Sequence, residues 1–171
     1  MIKMPNRQSG LTLVEIMISV GVGVILLSIA VPKMFSVLDH NTLVAASNSL
    51  VQGLHLARSE AIRGGGATLC ASTDTKVCSG NAADWKSGWI VQDSTSTTVR
   101  VYPGIAPEVI SIVASAAAVS YRNNGFLTPV GTVTIDFCKA RKKTDHAVVT
   151  SGTRVSITTS GKPRSEKFTC P

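Results

Sequence analysis

An unbroken apolar run constrains this chain more than any other feature. Between Leu11 and Val31 there are 21 residues, of which Glu15 alone is charged. As an α-helix rising 1.5 Å per residue the run is about 30 Å long, the thickness of a bilayer's hydrocarbon core. The run therefore predicts a membrane-spanning helix. Lys3 and Arg7 precede it, and basic residues stay on the cytoplasmic side, so everything after Pro32 is expected outside the cytoplasm. A carboxylate inside such a span costs on the order of 3 kcal/mol on insertion scales, which predicts a partner and a task for Glu15. The competing reading is a secretory signal peptide, with a basic start, an apolar core from Ile16 to Leu27 and a cut after the small-x-small triplet Ser28-Ile29-Ala30.

Past Pro32 the periodicity changes to that of an amphipathic helix reaching about Arg63. Leu43, Ser47, Leu50, Leu54, Ala57 and Ala61 recur at spacings of three and four and make one small or apolar stripe. Gly64-Gly65-Gly66 then ends the helix. Since G-x-x-x-x-G-K-[ST] is missing and the order is helix then strand, these glycines read as a cap rather than a phosphate loop. Short β-type runs follow at 67–71, 88–92, 99–102, 109–113, 119–122, 132–138, 147–150, 154–158 and 167–170. Turn residues separate them at Asn123-Asn124-Gly125, Ser151-Gly152 and Ser160-Gly161. The expected fold is α+β: a long N-terminal helix, half spanning and half amphipathic, packed on an antiparallel β-sheet head.

Cys70, Cys78, Cys138 and Cys170 are an even set without C-x-x-C or nearby histidines. In an exported domain this pattern favours disulfides over a metal site. Of three connectivities we favour Cys70–Cys78, which closes a short loop, and Cys138–Cys170, which staples the C-terminal tail. Trp85 and Trp89 read as core anchors. Enzymatic chemistry finds no support: His40 and His55 fall on the helix, His146 lies in a basic loop, and G-x-S-x-G, H-E-x-x-H and partnered S-x-x-K motifs are missing. Asp136 and Asp145 as a carboxylate pair have nothing beside them to tune their acidity. No cofactor is expected.

The order Gly10-Leu11-Thr12-Leu13-Val14-Glu15 resembles the processing site of type IV prepilins and type II secretion pseudopilins. The family usually has phenylalanine where Leu11 stands. The resemblance implies a leader of residues 1–10, a cut between Gly10 and Leu11 by prepilin peptidase, and methylation of the new amino group. It also gives Glu15 its task, pairing with the terminal amine of a neighbouring subunit as helices pack into a filament, where a paired carboxylate fixes register. It implies a filament-core helix over 11–31, an amphipathic half over 32–63 and a β-rich head over 64–171. The family's proline at the end of the span matches Pro32, where a helix loses one hydrogen bond and bends or locally unwinds. "LVQGLHLARSEAIRGG" from Leu50, "WKSGWIVQD" from Trp85 and "SGKPR" from Ser160 resemble the GspH/FimT group. That group implies an inner-membrane anchor, a periplasmic head, pilus or cell-surface placement after assembly, and other pilins as partners.

Charge points to one more partner. From Leu11 to Cys138 seven basic residues face eight acidic ones, whereas from Lys139 onward eight basic residues face two acidic ones. Those eight are Lys139, Arg141, Lys142, Lys143, Arg154, Lys162, Arg164 and Lys167. A region so basic suits a polyanion such as double-stranded DNA, held through phosphates without sequence preference. The turn Gly161-Lys162-Pro163-Arg164 resembles the glycine-arginine-x-arginine tail associated with DNA binding in the FimT branch, with lysine in the first basic position. A Cys138–Cys170 staple is expected to bring the runs 139–143 and 162–167 into a single patch. The competing readings are a solvated, solubilising surface and contact with anionic lipid headgroups. The function expected is that of a non-enzymatic minor pilin of a type IV pilus that binds DNA during natural transformation. The alternatives are a minor pseudopilin of type II secretion and a purely structural role in pilus priming.

Overall fold

The computed structural model describes residues 12–105, 110–139 and 151–170; the side chains at 32, 33, 35, 36 and 39 lie outside that description. Two compact units divide the chain, Met1–Leu38 and Asp39–Pro171. One helix, α1 (Leu13–Gly64), contributes to both.

In the first unit Thr12 caps α1, its Oγ1 accepting the Glu15 backbone N–H at 3.2 Å while its carbonyl accepts from Ile16 at 3.3 Å. This is the forward half of a Thr-x-x-Glu capping box, and it sets the Glu15 carboxylate in the first turn, at the positive end of the helix dipole. Leu13–Val31 has a mean hydropathy of 2.5, and none of it is buried within the chain. Its two serines leave no orphan hydroxyl: Ser19 donates to the Glu15 carbonyl and Ser28 to the Ile25 carbonyl, each at 2.7 Å. That internal satisfaction suits a segment without water around it. The helix is continuous through position 32, so local unwinding at Pro32 is not what the backbone shows. A proline removes one rung of the ladder, and the rungs on either side carry the helix past it.

In the second unit the stripe foreseen on α1 is the buried one: Leu43, Ser47, Leu50, Leu54, Ala57 and Ala61 all lie in the interior. Gly65 ends the helix in a left-handed conformation (φ 86°), its N–H bonding the Ala61 carbonyl at 3.1 Å. Nine strands follow among the described residues: β1 (Gly66–Ala71), β2 (Gly88–Asp93), β3 (Thr98–Pro103), β4 (Ile110–Ala114), β5 (Ala118–Arg122), β6 (Leu127–Thr128), β7 (Val133–Lys139), β8 (Ser151–Ile157) and β9 (Pro163–Thr169). They form two antiparallel sheets, ordered β3-β2-β1-β5-β6 and β4-β7-β8-β9. Alternate residues of both sheets, among them Leu69, Val91, Val119, Ile135, Phe137, Val155 and Ile157, meet the α1 stripe in one core.

Strand positions follow the sequence patterning closely, with instructive exceptions. The run 147–150 lies outside the described residues, and a 3-10 helix at Ala82–Ser87 carries Trp85. The turn expected at Ser151-Gly152 is instead the start of β8, where Gly152 pairs with Phe168. Glycine is needed there for space rather than for turning. A Cβ at position 152 would collide with the Phe137 carbonyl and fall 2.5 Å from Cys170 Sγ and 3.3 Å from Cys138 Sγ. The Cys138–Cys170 disulfide, with Cα atoms 6.0 Å apart, thus passes directly over β8 at its one residue without a side chain. The other bridge, Cys70–Cys78 (Cα–Cα 5.5 Å), closes a loop over the outer face of the first sheet. There the Lys76 carbonyl accepts from Gln92 Nε2 at 3.1 Å and Thr98 Oγ1 at 3.2 Å.

Candidate nucleic-acid interface and assembly helix

Of the processing residues, Gly10 and Leu11 lie outside the described residues, while Glu15 is exposed in the first turn of α1. Its backbone is fixed by Thr12, so the direction in which the carboxylate leaves the helix is set by the cap itself. Exposed apolar side chains surround it, Leu13 at 74 %, Val14 at 63 % and Ile18 at 63 %.

Among the described residues, the basic side chains do not gather in one place. Arg141, Lys142, Lys143 and His146 lie outside the described residues. Lys139 closes β7 beside Cys138, at the disulfide end of the second sheet. Lys162 and Arg164 stand where β9 begins. Those two places are separated by the length of β9, seven residues or about 23 Å. The staple therefore joins Lys139 to the far end of β9, not to Lys162, because an antiparallel hairpin puts its turn and its open end on opposite edges. Side-chain alternation divides the set further: Arg164 shares a face with Glu166, while Lys167 projects to the other face.

Arg154 is committed elsewhere. Its Nε and Nη2 donate to Asp136 Oδ1 and Oδ2 at 2.7 and 2.8 Å, and its guanidinium lies 3.8 Å over the Phe168 ring. Register places Asp136, Arg154 and Glu166 side by side across β7, β8 and β9. The Asp136 hydrogen bond, with the nearby Glu166 charge adding to it, holds Arg154 more firmly protonated than usual. At mid-sheet, then, two carboxylates face one guanidinium, and Arg154 belongs to the fold rather than to a free cationic set.

At the turn end of the same sheet a different arrangement forms. The Asn123-Asn124-Gly125 turn closes with Gly125 N–H on the Arg122 carbonyl, and the Ser160-Gly161 turn with Gly161 N–H on Thr158, both at 2.8 Å. The two turns touch: a Cβ on Gly161 would strike the Gly125 carbonyl and reach within 3.0 Å of Tyr121 Cε1. Both glycines have positive φ, 75° and 74°. Leu127 N–H bonds the Thr159 carbonyl at 3.0 Å, so this seam also links the two sheets. From α1, Arg58 Nε donates to the Gly125 carbonyl at 3.2 Å. Beneath lies Tyr121, whose buried hydroxyl has no hydrogen-bond partner among the described residues. Burial raises its pKa, against the opposing pull of the Arg58 charge. Sequence reading met Arg58 only within the family-like segment from Leu50 and gave it no contact, because its partner is 67 residues away along the chain.

The tryptophans occupy the interior as anchors. Trp85 and Trp89 are each 1 % exposed; Trp85 Nε1 donates to the Ala116 carbonyl at 2.8 Å and Trp89 stacks on Tyr102 with centroids 6.0 Å apart. Clefts among the described residues include one of about 230 Å³ beside Leu127 and Pro129 and one of about 330 Å³ between Ala45, Ser49, Trp89 and Ile105. Neither is lined by an ionisable side chain, so their chemistry is that of contact surfaces.

Comparison with known proteins agrees with this architecture. The family described as type II transport protein GspH matches residues 46–161, and the prokaryotic N-terminal methylation motif matches residues 5–31. Among solved structures, the type IV minor pilin FimU of Pseudomonas aeruginosa strain PAO1 is similar in fold in two crystal forms. One aligns with a TM-score of 0.53 at 20 % identity, covering 77 % of this chain and 90 % of FimU; the other has a TM-score of 0.53 at 22 % identity, covering 72 % and 92 %. No curated protein matches the chain.

Proposed function

Because the chain belongs to the GspH family and carries that N-terminal methylation motif, we propose that it is a minor pilin of a type IV pilus whose basic C-terminal region binds double-stranded DNA during uptake. As a pilin-like subunit it associates with other pilins and is processed by prepilin peptidase. In our reading the cut falls between Gly10 and Leu11, the head is periplasmic before assembly, and Glu15 pairs with the new terminal amine of a neighbour. A carboxylate so placed gains a charge partner exactly when subunits assemble, and otherwise remains costly in lipid.

The observation that carries the DNA reading is the charge asymmetry, eight basic residues against two acidic from Lys139 to the end. Arg154 drops out of the contact set because Asp136 holds it. Lys162, Arg164 and Lys167 remain exposed on and beside β9. Cations of this kind bind duplex DNA non-specifically with Kd of about 10⁻⁴ to 10⁻⁶ M at physiological salt, and repetition along a filament multiplies that through avidity.

The test is titration of labelled duplex into the full-length protein in nonionic detergent over a salt series, beside a Lys162→Gln/Arg164→Gln variant. Binding that weakens steeply with salt and falls further in the variant supports the proposal. Lack of binding at low salt would remove the DNA role. The family's own description favours one second reading, a minor pseudopilin of type II secretion, and that result would shift the balance to it or to a structural part in pilus priming.

A further inference from the structure

Resting on the DNA-binding reading, we infer that a backbone phosphate of the nucleic acid seats at the seam between the Arg122–Gly125 and Thr158–Gly161 turns, with Arg58 of α1 contacting it beside Lys162. Three observations lead there. The first is that Arg58 arrives oriented. Its Nε is tied to the Gly125 carbonyl at 3.2 Å, and its two terminal nitrogens have no partner among the described residues. A guanidinium held by one edge presents its remaining N–H groups as a fork, the geometry that matches two phosphate oxygens. The side chain is also half-buried, which strengthens its pull on an anion relative to a fully solvated charge.

The second observation is proximity. Gly161 lies against the same Gly125 carbonyl that Arg58 binds, so Lys162, the next residue, leaves the chain at the seam that Arg58 enters. Both glycines are buried where the turns meet and their N–H groups are bonded within the turns, so the phosphate is held by the side chains around the seam and not by its backbone. Arg164 follows two residues later and extends the cationic track.

The third is the placement of acid. Glu60, the nearest carboxylate along α1, is paired with Arg63. Asp136 and Glu166 face Arg154 in the middle of the second sheet, where two carboxylates outweigh one guanidinium. A polyanion is therefore repelled at mid-sheet and attracted at the turn end. Lys167, on the opposite face of β9 from Arg164, lies off this track.

The experiment uses the full-length protein in nonionic detergent with a labelled duplex and a salt series. Arg58→Gln is expected to weaken binding about 5-fold at 0.15 M salt and to reduce the log–log salt slope by about 1, the signature of one lost phosphate contact. Arg58→Lys keeps the charge while disturbing the bond to Gly125, so it should retain the wild-type slope even if thermal unfolding shows the same loss of stability as Arg58→Gln. Lys86→Gln, which removes an exposed charge outside the basic C-terminal region, should bind like wild type. A wild-type slope in Arg58→Gln, or the same loss of a slope unit in Lys86→Gln, overturns the inference while leaving the DNA reading in place. A wild-type protein that does not bind at low salt overturns both.

Discussion

The two halves of α1 are built from similar residues arranged for opposite surroundings. From Leu13 to Val31 the apolar side chains point in every direction and stay exposed, Ile25 and Leu26 at 63 % each. After Asp39 the apolar positions narrow to a stripe, and Leu50 and Leu54 are wholly buried against the sheets. Pattern, not composition, separates them. An apolar helix with no polar face needs lipid or other helices around it, whereas a striped one needs a single partner surface, which the chain supplies itself.

The sharpest way to break this comparison is to make the same truncation in both halves. Leu54→Ala should cost the head about 2–5 kcal/mol, because it opens a cavity in a core without slack. Leu26→Ala should leave head unfolding in detergent unchanged, and equal losses in a thermal melt would show that the halves are not energetically distinct. A smaller effect separates the glycines. A Cβ at Gly21 meets nothing within 4 Å, while one at Gly53 lies 3.0 Å from Leu69 Cδ1 and 3.2 Å from Tyr102 Cε2. Gly21→Ala is therefore expected to stabilise its helix by up to about 1 kcal/mol, read as slower amide exchange in micelles. At Gly53→Ala that gain is offset by crowding, and a head melting temperature raised as much as open space allows would mean the contact is looser than described.

Acid supplies the smallest difference. Asp93 is held below the usual carboxylate range first by the Thr95 hydroxyl and the Thr97 N–H, and Asp74 by the Lys76 and Val77 N–H groups. A lowered folded-state pKa means that the stabilisation is complete above the unfolded value, about 3.9, and is lost as pH falls through the lower folded values. The head should thus loosen below about pH 4, with a shallower fall in Asp93→Asn. Helicity of the Leu13–Val31 segment followed by circular dichroism in micelles should not track that fall.

Much of this architecture was legible because it rests on local periodicity. The α1 stripe, the glycine cap and most strands each follow from residues within a few positions of one another. Partition of the strands into two sheets was not legible, since pairing β4 with β7 depends on contacts over more than twenty residues. Gly152 was misread as a turn because a glycine needed for space and a glycine needed for positive φ look alike in one dimension. The cationic set was found by counting, but counting has no sense of position. It grouped Arg154, which Asp136 neutralises, with Lys162, and passed over Arg58, which lies in a stretch of balanced charge.

The disulfide over Gly152 also decides how the molecule bears load. β9 lies at the edge of its sheet, and an edge strand ordinarily peels one hydrogen bond at a time from a loose end. This one has no loose end: a hairpin turn holds its start to β8, and Cys170 is bolted to Cys138 on β7. Tension applied at the C-terminus therefore travels through sulfur into an interior strand and loads the hydrogen bonds of several strands together. That route turns a zipper into a rivet.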